Sequence, residues 1–283
     1  MQVGQKKIGK NNRCFVVAEA GLAHEGRAEL AFRLVDAAVR GRADAVKFQV
    51  YRAKELIDWR RDGELFERFK RKELAYSVFS ELKAYAEGKG LIWFATPHTM
   101  SAFEFLRNLG MELWKIGSGE RYGELFGKVM DTGKPVIVST GMRWQHEIFD
   151  MVDRYGGKNV CFLHCLTQYP SIPHLLNLNF LDRLKVVCGQ RGSLMGYSSH
   201  NIGWLDVEVA VAKGACVIEK HIKLAESTGQ DVHGALDADE FRLMESRIRD
   251  IEHLLGSDIR VYSSEEQENE KWALKRPDGK RPL

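Results

Sequence analysis

The feature of this sequence that most narrows its folding options is a repeated alternation. Eight short apolar runs follow one another: Cys14–Ala18, Ala45–Val50, Leu91–Ala95, Leu113–Ile116, Val136–Ser139, Val160–Cys165, Leu194–Tyr197 and Cys216–Glu219. They are rich in Val, Ile, Phe and Leu and apolar on both faces, as strands buried in a parallel sheet are. The stretches between them carry a helical period. Ala28–Arg40 sets Leu30, Ala31, Leu34, Val35 and Ala38 on one face, and Phe79–Glu87, Ala102–Leu109 and Val207–Lys213 read similarly. A last helix is predicted over Ala238–Leu255, with Phe241, Met244, Ile248, Ile251 and Leu255 in register. Eight β-then-α units in 283 residues predict an α/β fold, a (β/α)8 TIM barrel. A doubly wound sheet is the competing architecture. It more often brings a glycine-rich phosphate loop after its first strand, whereas Glu19-Ala20-Gly21-Leu22-Ala23-His24-Glu25-Gly26 holds no GxGxxG. The predicted plan is a barrel over residues 1–260, then a polar linker or tail over 261–283.

Composition excludes other classes. An apolar fraction of 44% with 29% charged residues is that of a folded globular chain. No stretch approaches the ~18–20 apolar residues of a membrane span, and the N-terminus has no apolar signal core, so a cytoplasmic protein without a membrane partner is expected. The net charge is +3, with both signs mixed and the basic runs short. No concentrated basic face appears, so no nucleic-acid partner is expected. The five cysteines are irregularly spaced, and Cys14, Cys161 and Cys216 sit in apolar runs. They read as small buried hydrophobes, not as a structural zinc site.

In a barrel of this kind the C-terminal strand ends form the functional face. Those ends carry Glu19 and His24; Lys47 and Gln49; Thr96 and His98; Lys115, Ser118 and Glu120; Ser139 and Thr140; His164, Thr167 and Tyr169; Tyr197 to His200; and Glu219 to His221. A structural barrel has no need of so many polar ends, because each buried polar group costs free energy unless paired. Lys47 and Lys115 are lone cations in apolar strands, and two of them point to an anionic ligand. Ser118 between Gly117 and Gly119, and Ser139-Thr140-Gly141, add donors suited to phosphate oxygens. His200 and His221 end adjacent strands, close enough to converge on one divalent cation, with the carboxylates of Glu19 and Asp231 in the same region.

Five of these segments resemble the sialic acid synthase family: Ala18 to Gly26, Ala43 to Gln49, Trp114 to Glu120, Gly133 to Met142 and Gly196 to His200. Leu163-His164-Cys165 running to Tyr169-Pro170, and Val217 to His221 followed by Gly229-Gln230-Asp231, extend the match over roughly residues 10–260. The resemblance implies a barrel that condenses phosphoenolpyruvate with an aldose, usually N-acetylmannosamine or a related amino sugar. The product is a nine-carbon 2-keto-3-deoxy acid, and phosphate is released. It implies His200 and His221 as ligands of a divalent metal, manganese first, with magnesium or cobalt as alternatives. Lys47 and Thr96 would hold the enolpyruvate carboxylate. Lys115, Ser118, Ser139 and Ser198 would hold its phosphate, with Thr167 beside them. Glu19, Glu120, Tyr169 and Asp231 would line the metal and sugar, Glu120 being suited to stabilise charge at C2.

The chain departs from the family pattern at Ala23-His24-Glu25-Gly26, at Thr96-Pro97-His98-Thr99 and at Ser199-His200. The common forms there are Asn-His-Asn-Gly, Thr-Pro-Phe-Asp and Asp-His. The family also carries a C-terminal antifreeze-like domain that reaches the partner's barrel in a homodimer and supplies an arginine to the sugar. For the tail that ends at Leu283 two readings stand: a linker remnant, or, in a homodimer of paired barrels, a segment whose Lys275 or Arg276 partly takes that role. Three other readings of the strand ends stay open: a related phosphoenolpyruvate-dependent synthase with a different, phosphorylated aldose, which would need a second anion cluster; a metal-dependent aldolase using pyruvate, which would not need the Lys115, Ser118 and Ser139 set; and a non-catalytic barrel scaffold.

Overall fold

The structure, a computed structural model, describes residues 1–281. Its centre is a closed barrel of eight parallel strands. These are β1 (Phe15–Gly21), β2 (Ala45–Val50), β3 (Ile92–Pro97), β4 (Trp114–Ile116), β5 (Val136–Ser139), β6 (Val160–Cys165), β7 (Leu194–Ser199) and β8 (Val217–His221). β8 closes on β1. Eight connecting helices follow the strands in turn: α1 (Ala28–Arg40), α2 (Tyr76–Gly88), α3 (Met100–Asn108), α4 (Glu124–Met130), α5 (Gln145–Tyr155), α6 (Phe180–Gln190), α7 (Leu205–Ala212) and α8 (Ala238–Leu255). The predicted barrel is the observed one, and α1 and α8 have the bounds that their apolar periodicity indicates. No helix among the described residues is long and apolar enough to cross a membrane.

Alternation along β2 and β3 explains both the core and the site. Phe48 packs against Phe79 of α2 and Trp93, with ring centroids 6.3 Å apart in each case. The neighbouring Lys47 belongs to the opposite face, inside the barrel. The register then sets polar residues side by side: His221 opposite Glu19, Glu19 opposite Lys47, Gln49 opposite Thr96, and Glu219 opposite Ser198. The β1–β2 register shifts between Glu19 and Gly21, and Gly21 has φ +51°. A Cβ there would stand 3.2 Å from Glu19 Oε1, so glycine suits both the left-handed turn and the crowding.

Several elements were not anticipated from sequence. Gln2–Val3 pairs with Lys6–Lys7 as a short antiparallel hairpin before the barrel. Two helices, Ala53–Leu56 and Gly63–Arg71, lie between β2 and α2. From His253 the chain forms a second small unit. The stretch read as a polar linker contains a helix, Ser264–Ala273. Its signal is a capping box: Ser263 Oγ accepts from the Glu266 amide at 3.1 Å, and Glu266 accepts from the Ser263 amide at 3.2 Å. Pro282 and Leu283, the end of the predicted tail, lie outside the described residues.

Candidate active site

The C-terminal mouth of the barrel holds a cavity of about 190 Å³. Its walls include Glu19, Lys47, Thr96, Lys115, Ser118, Ser139, Thr167, Tyr169, Ser198, His200 and His221. Of the residues to which the resemblance gives a site role, all are gathered here except Glu120 and Asp231; of the other polar strand ends, His24, Thr140, His164, Tyr197, Ser199 and Lys220 do not line it. Lys47 Nζ lies 3.2 Å from Glu19 Oε2, 3.1 Å from Glu219 Oε2 and 3.5 Å from Thr96 Oγ1. Lys115 Nζ donates to Ser139 Oγ at 2.6 Å and stands 3.7 Å from Glu219 Oε1, which accepts from Ser198 Oγ at 3.2 Å. Each lysine thus sits beside a hydroxyl, and Glu219 lies between the two cations.

The electrostatics of this group are uneven. Burial works against the Lys47 charge, but Glu19 and Glu219 hold its pKa above the ordinary value. Lys115 is less well compensated: burial, reinforced by Lys47, pulls it down to about 8 despite Glu219. Burial raises Glu19, and Glu219 adds to that rise against the pull of Lys47. Glu219 goes the other way, because Lys115 and Lys47 outweigh its burial. With Glu19 protonated and Glu219 ionised, the two lysines leave an excess of positive charge for an anion.

Ser118 is held at the end of β4 by the neighbouring turn. Its Oγ accepts from the Gly141 amide at 3.1 Å and lies 3.2 Å from Cys165 Sγ. Arg143 donates to the Ser118 carbonyl at 3.1 Å and to the Glu120 carbonyl. The approach is close: a Cβ on Gly141 would fall 2.2 Å from Thr167 Oγ1 and 2.7 Å from Ser118 Oγ. Thr167 Oγ1 is buried without a hydrogen-bond partner among the described residues, leaving a free hydroxyl in the cavity wall.

His200 and His221 converge, with ring centroids 5.5 Å apart and Tyr169 against both. The Leu166 carbonyl is 2.7 Å from His200 Nδ1. It accepts a hydrogen bond from the protonated Nδ1, which leaves Nε2 with its lone pair. Burial, then His221, lowers His200 to about 4. Burial also lowers His221, with Asp231 opposing. Neutral imidazoles with uncommitted lone pairs fit a divalent cation. No group of three His, Cys, Asp or Glu residues able to hold a metal is present among the described residues. A cation held by this pair would take its remaining ligands from water and substrate oxygens.

A second cavity, about 290 Å³, adjoins the first through Gln49, Tyr169 and His221. Asp231 lines it, together with Arg68, Phe69, Lys72 and the Thr228–Val232 loop. Three connections meet at its rim. Glu25 accepts from Lys72 Nζ, from the Thr228 amide and from Thr228 Oγ1, each at 2.8 Å.

Glu120 lines neither cavity; its Oε1 would be 3.5 Å from a Cβ on Gly123. His24, one of the polar groups after the first strand, is buried, and its Nδ1 accepts from the Gly26 amide at 3.1 Å. Glu219 and Gln49, polar strand ends to which the sequence assigns no role, line the first cavity, as does His98 at its rim position after β3. For Glu219 the signal was available: in Val217-Ile218-Glu219-Lys220-His221, period-two alternation puts Glu219 on the same face as His221.

Known proteins were then compared with the chain. The model of the NeuB family matches residues 34–260. An uncharacterised protein of Methanocaldococcus jannaschii is 36% identical over 95% of this chain and 80% of its own length. The N,N'-diacetyllegionaminic acid synthase of Campylobacter jejuni is 32% identical over 91% of this chain and 82% of its own length. Among solved structures, the N-acetylneuraminic acid (sialic acid) synthetase of Leptospira borgpetersenii superposes with a TM-score of 0.84 at 31% identity, covering 95% of this chain and 94% of that one.

Proposed function

The chain belongs to the NeuB family, and on that premise we propose that it condenses phosphoenolpyruvate with an aldose, N-acetylmannosamine or a related amino sugar, to a 2-keto-3-deoxy nonulosonic acid with release of phosphate. One observation carries this reading: two buried lysines, each beside a hydroxyl, share one cavity with a pair of neutral imidazoles. An enolpyruvate phosphate has two anionic ends, and the cavity offers two cationic ones.

In this account Lys47 and Thr96 bind the carboxylate, and Lys115, Ser118, Ser139, Thr167 and Ser198 receive the phosphate. Charge-assisted hydrogen bonds orient both ends, so C3 of the enol faces the second cavity. The acceptor occupies that cavity, with Gln49, Tyr169 and Asp231 about its aldehyde end. His200 and His221 would hold a divalent cation, manganese by preference, which when bound polarises the aldehyde oxygen as a Lewis acid. C3 attacks the aldehyde carbon, and positive charge develops at C2. Glu219 lines the same cavity and is the carboxylate held ionised there, and we assign to it the charge stabilisation expected of Glu120. Water adds at C2, and phosphate departs with its bridging oxygen as the C–O bond breaks.

The test is incubation with phosphoenolpyruvate, Mn²⁺ and a panel of aldoses, with phosphate measured. Release that requires both an aldose and the cation supports the proposal. Absence of release with every aldose, or release independent of aldose, overturns it.

A further inference from the structure

The ends of β7 and β8 share a buried polar group that lies outside both cavities. We propose that Lys220, sustained by Asp206 through the Ser199 hydroxyl, is a positioning group that fixes the spacing of His200 and His221. The inference rests on the reading of those two imidazoles as a cation site, and adds the residues that hold them in place.

Alternation along β8 turns Glu219 and His221 into the barrel and Lys220 away from it. Lys220 is nevertheless fully buried. Its Nζ donates to Ser199 Oγ at 2.9 Å and to the Asn201 carbonyl at 2.6 Å. One ammonium therefore holds the residue before His200 and the residue after it, and belongs to the residue before His221. Ser199 and Lys220 are also register partners in the β7–β8 pair. The bracket thus spans the two strands at the level from which both imidazoles project.

The counter-charge arrives through a hydroxyl. Ser199 Oγ donates to Asp206 Oδ2 at 2.7 Å. An ammonium only donates and a carboxylate only accepts, so the direction of the relay is fixed: Lys220 to Ser199 to Asp206. Tyr197 Oη donates to the same carboxylate oxygen at 2.8 Å. Asp206 stands in the first turn of α7 and is buried, and its Oδ1 has no hydrogen-bond partner among the described residues. A buried carboxylate satisfied on one oxygen alone costs stability, and apolar side chains would fill the same space without that cost. Its charge has a use beside Lys220. Burial works against the Lys220 charge, and Asp206 is foremost among the groups that sustain it, ahead of Glu240.

The departure at Ser199-His200 fits this arrangement. A carboxylate at position 199, as in the common Asp-His form, would meet Lys220 directly, because Ser199 Oγ already lies 2.9 Å from Nζ. Here a serine stands at that place and the carboxylate comes from Asp206, on the next helix.

The experiment measures Mn²⁺ binding to the full chain by the electron paramagnetic resonance of the free ion, and phosphoenolpyruvate binding without metal by calorimetry. Asp206→Ala should weaken Mn²⁺ binding by roughly ten- to a hundredfold, the usual cost of losing a group that orients metal ligands, and leave phosphoenolpyruvate affinity at the parent's value. Asp206→Asn, which keeps the shape and removes the charge, should show the same loss and serves if the alanine variant does not fold. Ser199→Asp combined with Asp206→Ala returns the carboxylate to Lys220 and should restore most of the Mn²⁺ affinity, a rescue that a role in stability alone does not predict. Unchanged Mn²⁺ affinity in the Asp206 variants, equal weakening of both ligands, or no restoration in the double variant overturns this inference alone. Absence of Mn²⁺ binding by the parent overturns the cation site and this inference with it.

Discussion

Lys115 is the residue on which the anion site turns. Burial sets its pKa at about 8, so the cation is present below that value and lost above it. Phosphoenolpyruvate affinity should therefore fall as pH rises through about 7 and then about 8, as first the Glu19 proton and then the Lys115 charge is lost. Calorimetric titration across that range checks the direction; affinity that rises with pH would contradict it. Lys115→Ala should weaken phosphoenolpyruvate binding by roughly ten- to a hundredfold in the same titration, the range expected for a charge-assisted hydrogen bond. Lys47→Ala should also destabilise the fold, because Glu19 and Glu219 would lose their common cation while staying buried. Both lysines were legible as lone cations in apolar strands. Their counter-ions were not: Glu19 lies 28 positions before Lys47 and meets it through the β1–β2 pairing, while Glu219 lies 172 positions after it and is brought near only by the closure of β8 on β1.

At the scale of elements, the strand ends are precise because adjacent turns are packed against one another. Gly141 follows β5, and its missing side chain makes room for Thr167 and Ser118. Gly141→Ala should displace both hydroxyls, raising the dissociation constant for phosphoenolpyruvate while far-UV circular dichroism stays unchanged. Affinity equal to the parent's would show that these hydroxyls do not bind the phosphate. The loop carrying Asp231 is tied by Glu25 to Lys72 and Thr228. Glu25→Gln should loosen that tie and raise the KM for the aldose more than that for phosphoenolpyruvate. The alternating and helical apolar periods made the barrel strands and the long helices readable. The Gly63–Arg71 helix went unread although Asp62 caps it and Leu65, Phe66 and Phe69 share one face, because it is short and lies between β2 and α2, where the eight-unit pattern calls for no extra helix. That helix carries Arg68, which is why the outer wall of the acceptor cavity emerged only from the fold.

For the whole molecule, closure of the barrel gathers residues from all eight strand ends into one mouth, and binding there should be felt by the fold as a whole. A ligand at a hundredfold its dissociation constant stabilises by about 2.7 kcal/mol. Thermal unfolding with phosphoenolpyruvate and with Mn²⁺ should each show an upward shift of several degrees. In His221→Ala the Mn²⁺ shift should vanish while the phosphoenolpyruvate shift persists; an undiminished Mn²⁺ shift would remove His221 from the metal site. The central claim is that this mouth joins an enol carbon to an aldehyde and expels phosphate by breaking a carbon–oxygen bond. Turnover of phosphoenolpyruvate labelled with heavy oxygen at its bridging position, in the presence of Mn²⁺ and an accepted aldose, tests that claim most directly. The account predicts the label in the released phosphate, with release dependent on the aldose. Label retained in the keto acid, or phosphate released without an aldose, would contradict it.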